Sequence, residues 1–337
     1  MTIDAPVRSR ADAVHGGWYL LALEEELAGE VTPLALGDRA LMAIRDGDRV
    51  RVFDARCPHR GAHLGYGGVL DAGHGARGAG AVICPFHGKR IGLGTGTARL
   101  CVAEHTVISA GAALFVRLGT EPADDRGFEL AIKEICAEKQ VVGAFVQPVR
   151  VAPEYVIENA FDVSHFAVVH KVPKVRGMQL STQGPGRGAQ GPGRDAQGRG
   201  RGAQGPGWLG IEGEFWTKAP PWEEQTGRDF CSRFVARAVS PSLVLTELGP
   251  DGASHTVITG ASPAREGCVA RVAFGVRPAA RQAVPQLVAG ARRAFDQDMA
   301  VWNHLDPSAP VRLDAGDTPV LAFRQFCASF APLGPLG

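Results

Sequence analysis

The 337-residue chain lacks any apolar run of the length that crosses a bilayer. Its first residues, MTIDAPVRSRADAVHGG, lack the apolar core of a secretory signal. A charge excess is missing as well: 36 Lys and Arg stand against 35 Asp and Glu. The net +1 creates no global field for nucleic acid or an anionic membrane. These absences lead to the expectation of a soluble, cytoplasmic protein with neither nucleic acid nor membrane among its partners. Cysteine is sparse and odd in number. Seven thiols without a secretory signal argue against a disulfide framework, so some should be metal ligands or core residues. The length suits one large domain or two of ordinary size.

What is present begins after an expected N-terminal tail at residues 1–15. From Trp18 onward, short apolar runs such as TPLAL, RVRVFDA, AVICPF and ALFVRL are separated by turn signals, among them Asp46-Gly47-Asp48. This alternation predicts a small antiparallel β-domain over residues 16–120. Two of its loops carry the strongest signal in the chain. One is Cys57-Pro58-His59-Arg60-Gly61 and the other Cys84-Pro85-Phe86-His87-Gly88, which gives C-x-H, a spacer of 24 residues, then C-x-x-H. Each loop offers one thiolate and one imidazole. A Cys₂His₂ zinc site is one chemical reading, but zinc fingers pair cysteine with cysteine and histidine with histidine. The mixed pairing suits a [2Fe–2S] cluster with both cysteines on one iron and both histidines on the other.

The second concentration of chemistry is Glu158–His170, ENAFDVSHFAVVH. Asn159, Asp162 and His165 are spaced by three, so a continuous helix would put them on one face. His170 follows His165 by five. The two can grip one metal only where the helix ends, breaks or takes a wider turn between them; the competing reading is a buried helix with two satisfied histidines. Further on, VPQLVAGARRAFDQDMAVW at 284–302 reads as an amphipathic helix with Val284, Leu287, Ala291, Phe295 and Trp302 on its apolar stripe. Asp298 falls inside that stripe and needs a partner. Asp296 points away and reads as a solvated helix charge.

The repeated C-P-x-H context resembles the Rieske family. A cluster domain followed by N-x-x-D-x-x-H-x-x-x-x-H resembles the α-subunit (terminal oxygenase component) of the Rieske non-haem iron oxygenases, and the order of both motifs matches over the whole chain. The H-F-x-x-V-H form looks most like the monooxygenase branch that includes steroid ring hydroxylases. The resemblance implies an α+β protein, a small all-β Rieske domain plus a helix-grip catalytic domain over residues 121–337, with an antiparallel sheet around a C-terminal helix. It implies cofactor ligands Cys57, His59, Cys84 and His87, and mononuclear Fe(II) held by His165, His170 and Asp298. Asp162 is then the aspartate that links a catalytic histidine to a cluster histidine of a neighbouring subunit. This places the protein in a head-to-tail homotrimer, with Asn159 a nearby polar contact. Two departures stand out: a spacer lengthened by the Gly-rich Asp71–Gly80, and Lys89 where tryptophan is common.

The implied activity is O₂-dependent hydroxylation, or desaturation, cyclisation, N-oxygenation or demethylation, of a hydrophobic small molecule of steroid or secondary-metabolite type. Electrons would reach it from NAD(P)H through a separate reductase and ferredoxin. The glycine patterns at 186–191 and 92–96 lack the strand-to-helix setting of a nucleotide site. The alternative is a Rieske electron-transfer or sensing protein without oxygenase activity. Residues 181–207, where GPGRGAQ recurs imperfectly, read as a low-complexity, disordered insert. Val169, Phe215, Phe234, Val257 and Phe274 are candidates for the pocket lining, with core packing the competing role for most.

Overall fold

The computed structural model describes residues 14–71, 80–94, 99–119, 125–183, 207–218, 229–250, 253–306 and 308–334. The repeats of the 181–207 insert, most of Asp71–Gly80, His74 and the end of the Gly92–Gly96 stretch lie outside the described residues. The first half is strands: β1 (Gly17–Leu23), β2 (Val31–Leu36), β3 (Arg39–Asp46), β4 (Arg49–Asp54), β5 (Val69–Asp71), β6 (Ala81–Ile83), β7 (Arg90–Leu93), β8 (Cys101–Val102), β9 (Glu104–Ala110) and β10 (Ala113–Leu118). They form a six-stranded sheet in the order β1-β10-β9-β4-β3-β2 and a four-stranded sheet β5-β6-β7-β8. The Asp46-Gly47-Asp48 turn closes β3 onto β4, with Asp46 opposite Arg49 and Gly47 at φ +61°, a conformation glycine adopts without penalty. Val14 and His15, assigned to the tail, are instead buried, and His15 bridges to Pro332 near the far end of the chain.

The second half continues with α1 (Phe128–Glu138), β11 (Gln140–Val149), α2 (Pro153–Glu158), α3 (Val163–Val168), β12 (Lys174–Gln183), β13 (Trp208–Lys218), β14 (Asp229–Ser240), β15 (Leu243–Gly249), β16 (His255–Pro263), β17 (Cys268–Val276), α4 (Val284–Trp302) and α5 (Thr318–Ala328). Seven antiparallel strands, β11-β17-β16-β15-β14-β13-β12, make one sheet.

Alternation sorts that sheet's two faces. Phe234, Ala236 and Ala238 of β14 and Val272, Phe274 and Val276 of β17 join one core with Phe295 and Trp302 of α4 and Phe323 of α5. Leu243 and Leu245 of β15, Ile258 and Ala273 face the other way, against Trp18 and Phe115 of the first sheet and Phe128 of α1. The sheet therefore grips α4 on one side and the cluster-loop half of the chain on the other. Phe295 sets its ring edge against Phe145 of β11 at 5.5 Å and against Trp302 at 5.4 Å, which fixes the rotation of α4. That rotation turns Asp298 inward.

Candidate metal centres

The two cysteine–histidine loops are built alike. The first leaves β4, and the second is the tip of the β6–β7 hairpin. The Cys57 amide donates to the Ala62 carbonyl while the Gly61 amide donates back to Cys57. In the second loop the Cys84 amide donates to Lys89 and the Gly88 amide donates back to Cys84. Gly61 (φ +74°) and Gly88 (φ +63°) both take the left-handed turn that closes the loop. Both sulfurs are buried in one apolar cluster with Leu64, Val82 and Ile91. His59 and His87 are exposed, with ring centroids 4.9 Å apart. Burial pushes the Cys84 thiol up, but the Phe86 amide, the Cys57 side chain and the His87 amide outweigh it, and its pKa ends below the ordinary thiol value. Thiolate character is what a metal ligand requires.

Donors on one tetrahedral zinc, each about 2.0–2.3 Å from the ion, lie within about 4 Å of one another. Among the described residues, the one group of three or more such side chains with all ligand atoms within 4.8 Å is a different one, formed by His165, His170 and Asp298. One thiol and one imidazole from each loop at Cys57, His59, Cys84 and His87 fit a two-metal group held by both loops.

The segment carrying the histidines departs from the continuous helix that its spacing suggested. The chain is extended at Asp162 (ψ 92°), so α2 stops at Glu158 and α3 starts at Val163. Asp162 is the N-cap of α3: its Oδ1 accepts from the amides of Ser164 (3.1 Å) and His165 (3.2 Å). The expected contact between its carboxylate and the His165 ring is replaced by the backbone. His165 Nδ1 lies 2.5 Å from the Asp162 carbonyl oxygen. α3 ends at Val168 and Lys171 turns left-handed at φ +55°, so His170 lies beyond the helix and folds back. His165 Nε2 and His170 Nε2 come within 3.1 Å. Asp298 Oδ1 reaches His170 Nε2 at 3.4 Å from α4, and Asn159 hydrogen-bonds to the Asp298 carboxylate. Asp296 is exposed.

The tautomers follow from these partners. A carbonyl can only accept, so His165 carries its proton on Nδ1. His170 Nδ1 faces Gln297 Oε1 at 3.0 Å, another acceptor. Both Nε2 atoms then present lone pairs to one another beside a carboxylate. Three acceptors facing a common point repel unless a cation lies between them, and the donor set fits a divalent metal. Burial, the largest effect, and the neighbouring His170 hold His165 below the usual imidazole value, against its Asp162 contacts. Burial pushes Asp298 up to about 6, reinforced by the Asp162 charge and opposed by His170 and Asn159. A cation would pull it back.

A cleft of about 300 Å³ opens beside these residues, lined by Asn159, Asp162, His165, Val169, Asp298 and Arg324 among others. Of the five pocket candidates, Val169 lines this cleft; Phe215, Phe234 and Phe274 are core residues, and Val257 packs partly buried against them. Phe166 lies beside His165 and tilts against the stacked pair Phe215 and Phe234. Two partners went unrecognised in the sequence. Arg324, 9% exposed on the apolar side of α5, pairs with Glu158 at 2.7 and 3.0 Å. A charge inside an apolar stripe, the signal used for Asp298, would have found it. Gln297 has no such signal.

Comparison with known proteins places the fold. Residues 17–110 match the family model described as Rieske [2Fe-2S] domain. Cholesterol 7-desaturase nvd of Drosophila melanogaster is 39% identical over 89 residues, 26% of this chain and only 18% of that relative's length. The terminal oxygenase of carbazole 1,9a-dioxygenase from Novosphingobium sp. KA1 superposes with TM-score 0.63 at 15% identity, covering 94% of this chain and 93% of that one. Dicamba monooxygenase bound to 3,6-dichlorosalicylic acid superposes at 0.62 and 17% identity, covering 93% and 96%. A reduced complex between oxygenase and ferredoxin in carbazole 1,9a-dioxygenase superposes at 0.59 and 14%, covering 95% and 90%. Residues 17–110 are thus a Rieske [2Fe–2S] domain, and the chain as a whole has the fold of the Rieske oxygenase α-subunits.

Proposed function

We propose that this protein is the terminal oxygenase component of a Rieske non-haem iron system, using O₂ to oxidise a small hydrophobic molecule, with monooxygenation favoured over dioxygenation. The observation that carries the reading is the coexistence, in one chain, of the twin cysteine–histidine loops and three convergent acceptors on His165, His170 and Asp298. A Rieske cluster bound by Cys57, His59, Cys84 and His87 would supply single electrons, and Fe(II) at the second site would supply dioxygen chemistry at its open positions. The chain's own residues do the rest. Asn159 orients the Asp298 carboxylate, and the Asp162 carbonyl and Gln297 fix both imidazoles with Nε2 facing the site. The buried Phe166, Phe215 and Phe234 rings form the apolar wall on the sheet side.

Two exposed apolar patches support a head-to-tail homotrimer. One surrounds the cluster loops, with Tyr66 69% and Phe86 59% exposed and Arg60 and Lys89 beside them. The other rims the cleft, where Val301 (48% exposed), Leu305 and Val311 stand with Asp162 and Asp306. Apolar centres with opposite charge at their edges are complementary. Electrons come from a ferredoxin and reductase, in keeping with the similar oxygenase–ferredoxin complex. Metal and sulfide analysis of purified protein should give about three irons per chain, two with sulfide and one without. O₂ uptake with a surrogate reductase pair, with product mass, then reads the reaction; zinc without sulfide, or a cluster with no O₂ use by any substrate, overturns the proposal.

A further inference from the structure

We infer that Gln297 is a positioning residue for the metal centre, holding the ring of His170 in the tautomer and rotation that leaves Nε2 free to bind. The inference rests on the metal reading of His165, His170 and Asp298 and adds a residue to it. His165 needs no side chain for this purpose, because the Asp162 carbonyl at 2.5 Å is built into the start of α3. Among the described residues, no backbone carbonyl supports His170 in this way: it lies past the end of α3, on a segment that reverses at Lys171. Its ring is instead clamped from α4. Gln297 Oε1 takes Nδ1 at 3.0 Å, and the next residue, Asp298, approaches Nε2 at 3.4 Å.

Consecutive helix residues point about 100° apart, so α4 straddles the imidazole and addresses both nitrogens with neighbouring side chains. An amide oxygen at Nδ1 requires a proton there and excludes one from Nε2. Without that acceptor the proton is free to move to Nε2, where His165 Nε2 and Asp298 both accept, and a protonated Nε2 cannot ligate metal. Partners of this kind behind a ligating histidine are generally worth 10–100-fold in metal affinity. Gln297 is at the solvent edge, where water can take over an acceptor's role, so the loss should sit near the lower end of that range.

The test is anaerobic equilibrium dialysis of Co(II) against cluster-loaded protein whose mononuclear site has been emptied with a chelator. Gln297→Leu, which removes the acceptor and blocks water, should weaken Co(II) binding by about tenfold or more. Gln297→Ala, which leaves room for water, should lose less. Gln297→Glu, which keeps an acceptor at Nδ1, should bind within about threefold of the parent. Cluster absorbance and the unfolding temperature of the metal-free protein should be alike in all four. Unchanged affinity in Gln297→Leu, or a loss in Gln297→Glu as large as in Gln297→Leu, overturns the assignment of Gln297 while leaving the metal site intact. A parent protein that takes up no Co(II) overturns the metal reading itself, and this inference with it.

Discussion

At Asp298 a proton and a cation compete for the same buried carboxylate, and burial alone tilts the contest toward the proton. Asp298→Ala should therefore leave the cluster absorbance intact and lower iron from about three to about two per chain. Cys84→Ser should do the reverse, abolishing the cluster spectrum while the mononuclear iron stays. Iron and sulfide determination on both variants checks the pair. His15 gives a separate prediction about stability. Burial lowers its pKa to about 4 from 6.5, with Arg126 adding to the effect and the Gly16 carbonyl opposing it. Between those values the unfolded chain takes up a proton that the folded chain excludes, so this contribution is complete above 6.5 and is lost as pH falls toward 4. Its size is on the order of 3 kcal/mol. Denaturant unfolding at pH 7 and pH 5 should show a shallower loss in His15→Asn than in the parent.

At the scale of elements, Asp162 caps α3, and substitution can part that role from its proposed place on the electron route. Asp162→Ala removes the N-cap and should cost about 1 kcal/mol of stability. Asp162→Asn keeps an oxygen for the Ser164 and His165 amides while removing the charge. It should fold and hold both metals normally yet turn over slowly; full turnover would remove Asp162 from the electron route. The break before α3 also explains which parts were legible beforehand. Strand alternation, the C-x-H and C-x-x-H spacings and the lone carboxylate in the α4 stripe are local patterns, and the α+β helix-grip class comes from the family resemblance that those motifs carry. The stop at Glu158 and restart at Val163 depend on Asp162 capping a helix while its own carbonyl takes the His165 ring, and spacing alone cannot distinguish that from one continuous helix. Gln297 was out of reach because its proposed role depends on where a residue 127 positions earlier places its ring.

For the whole molecule, the apolar patch at the cluster loops and the one at the cleft rim are both exposed among the described residues. If a neighbouring copy covers them, Val301→Asp should lower both the sedimenting mass and turnover without changing metal content. A sharper check mixes two inactive proteins, Cys84→Ser and Asp298→Ala, under conditions of subunit exchange. Activity should reappear in part, because the mixed rings then contain intact cluster loops next to an intact second site. No recovery after demonstrated exchange would confine electron transfer to single chains.

The matching hydrogen-bond rings of the two cysteine loops have a last consequence. Each loop would contribute one sulfur and one nitrogen, so a cluster held by Cys57, His59, Cys84 and His87 would depend on both loops at once. Neither loop would then be half-loaded. A lesion in one hairpin would release the pair of metals together, and assembly from the apoprotein would proceed as a single event that fastens the β4 exit to the β6–β7 tip.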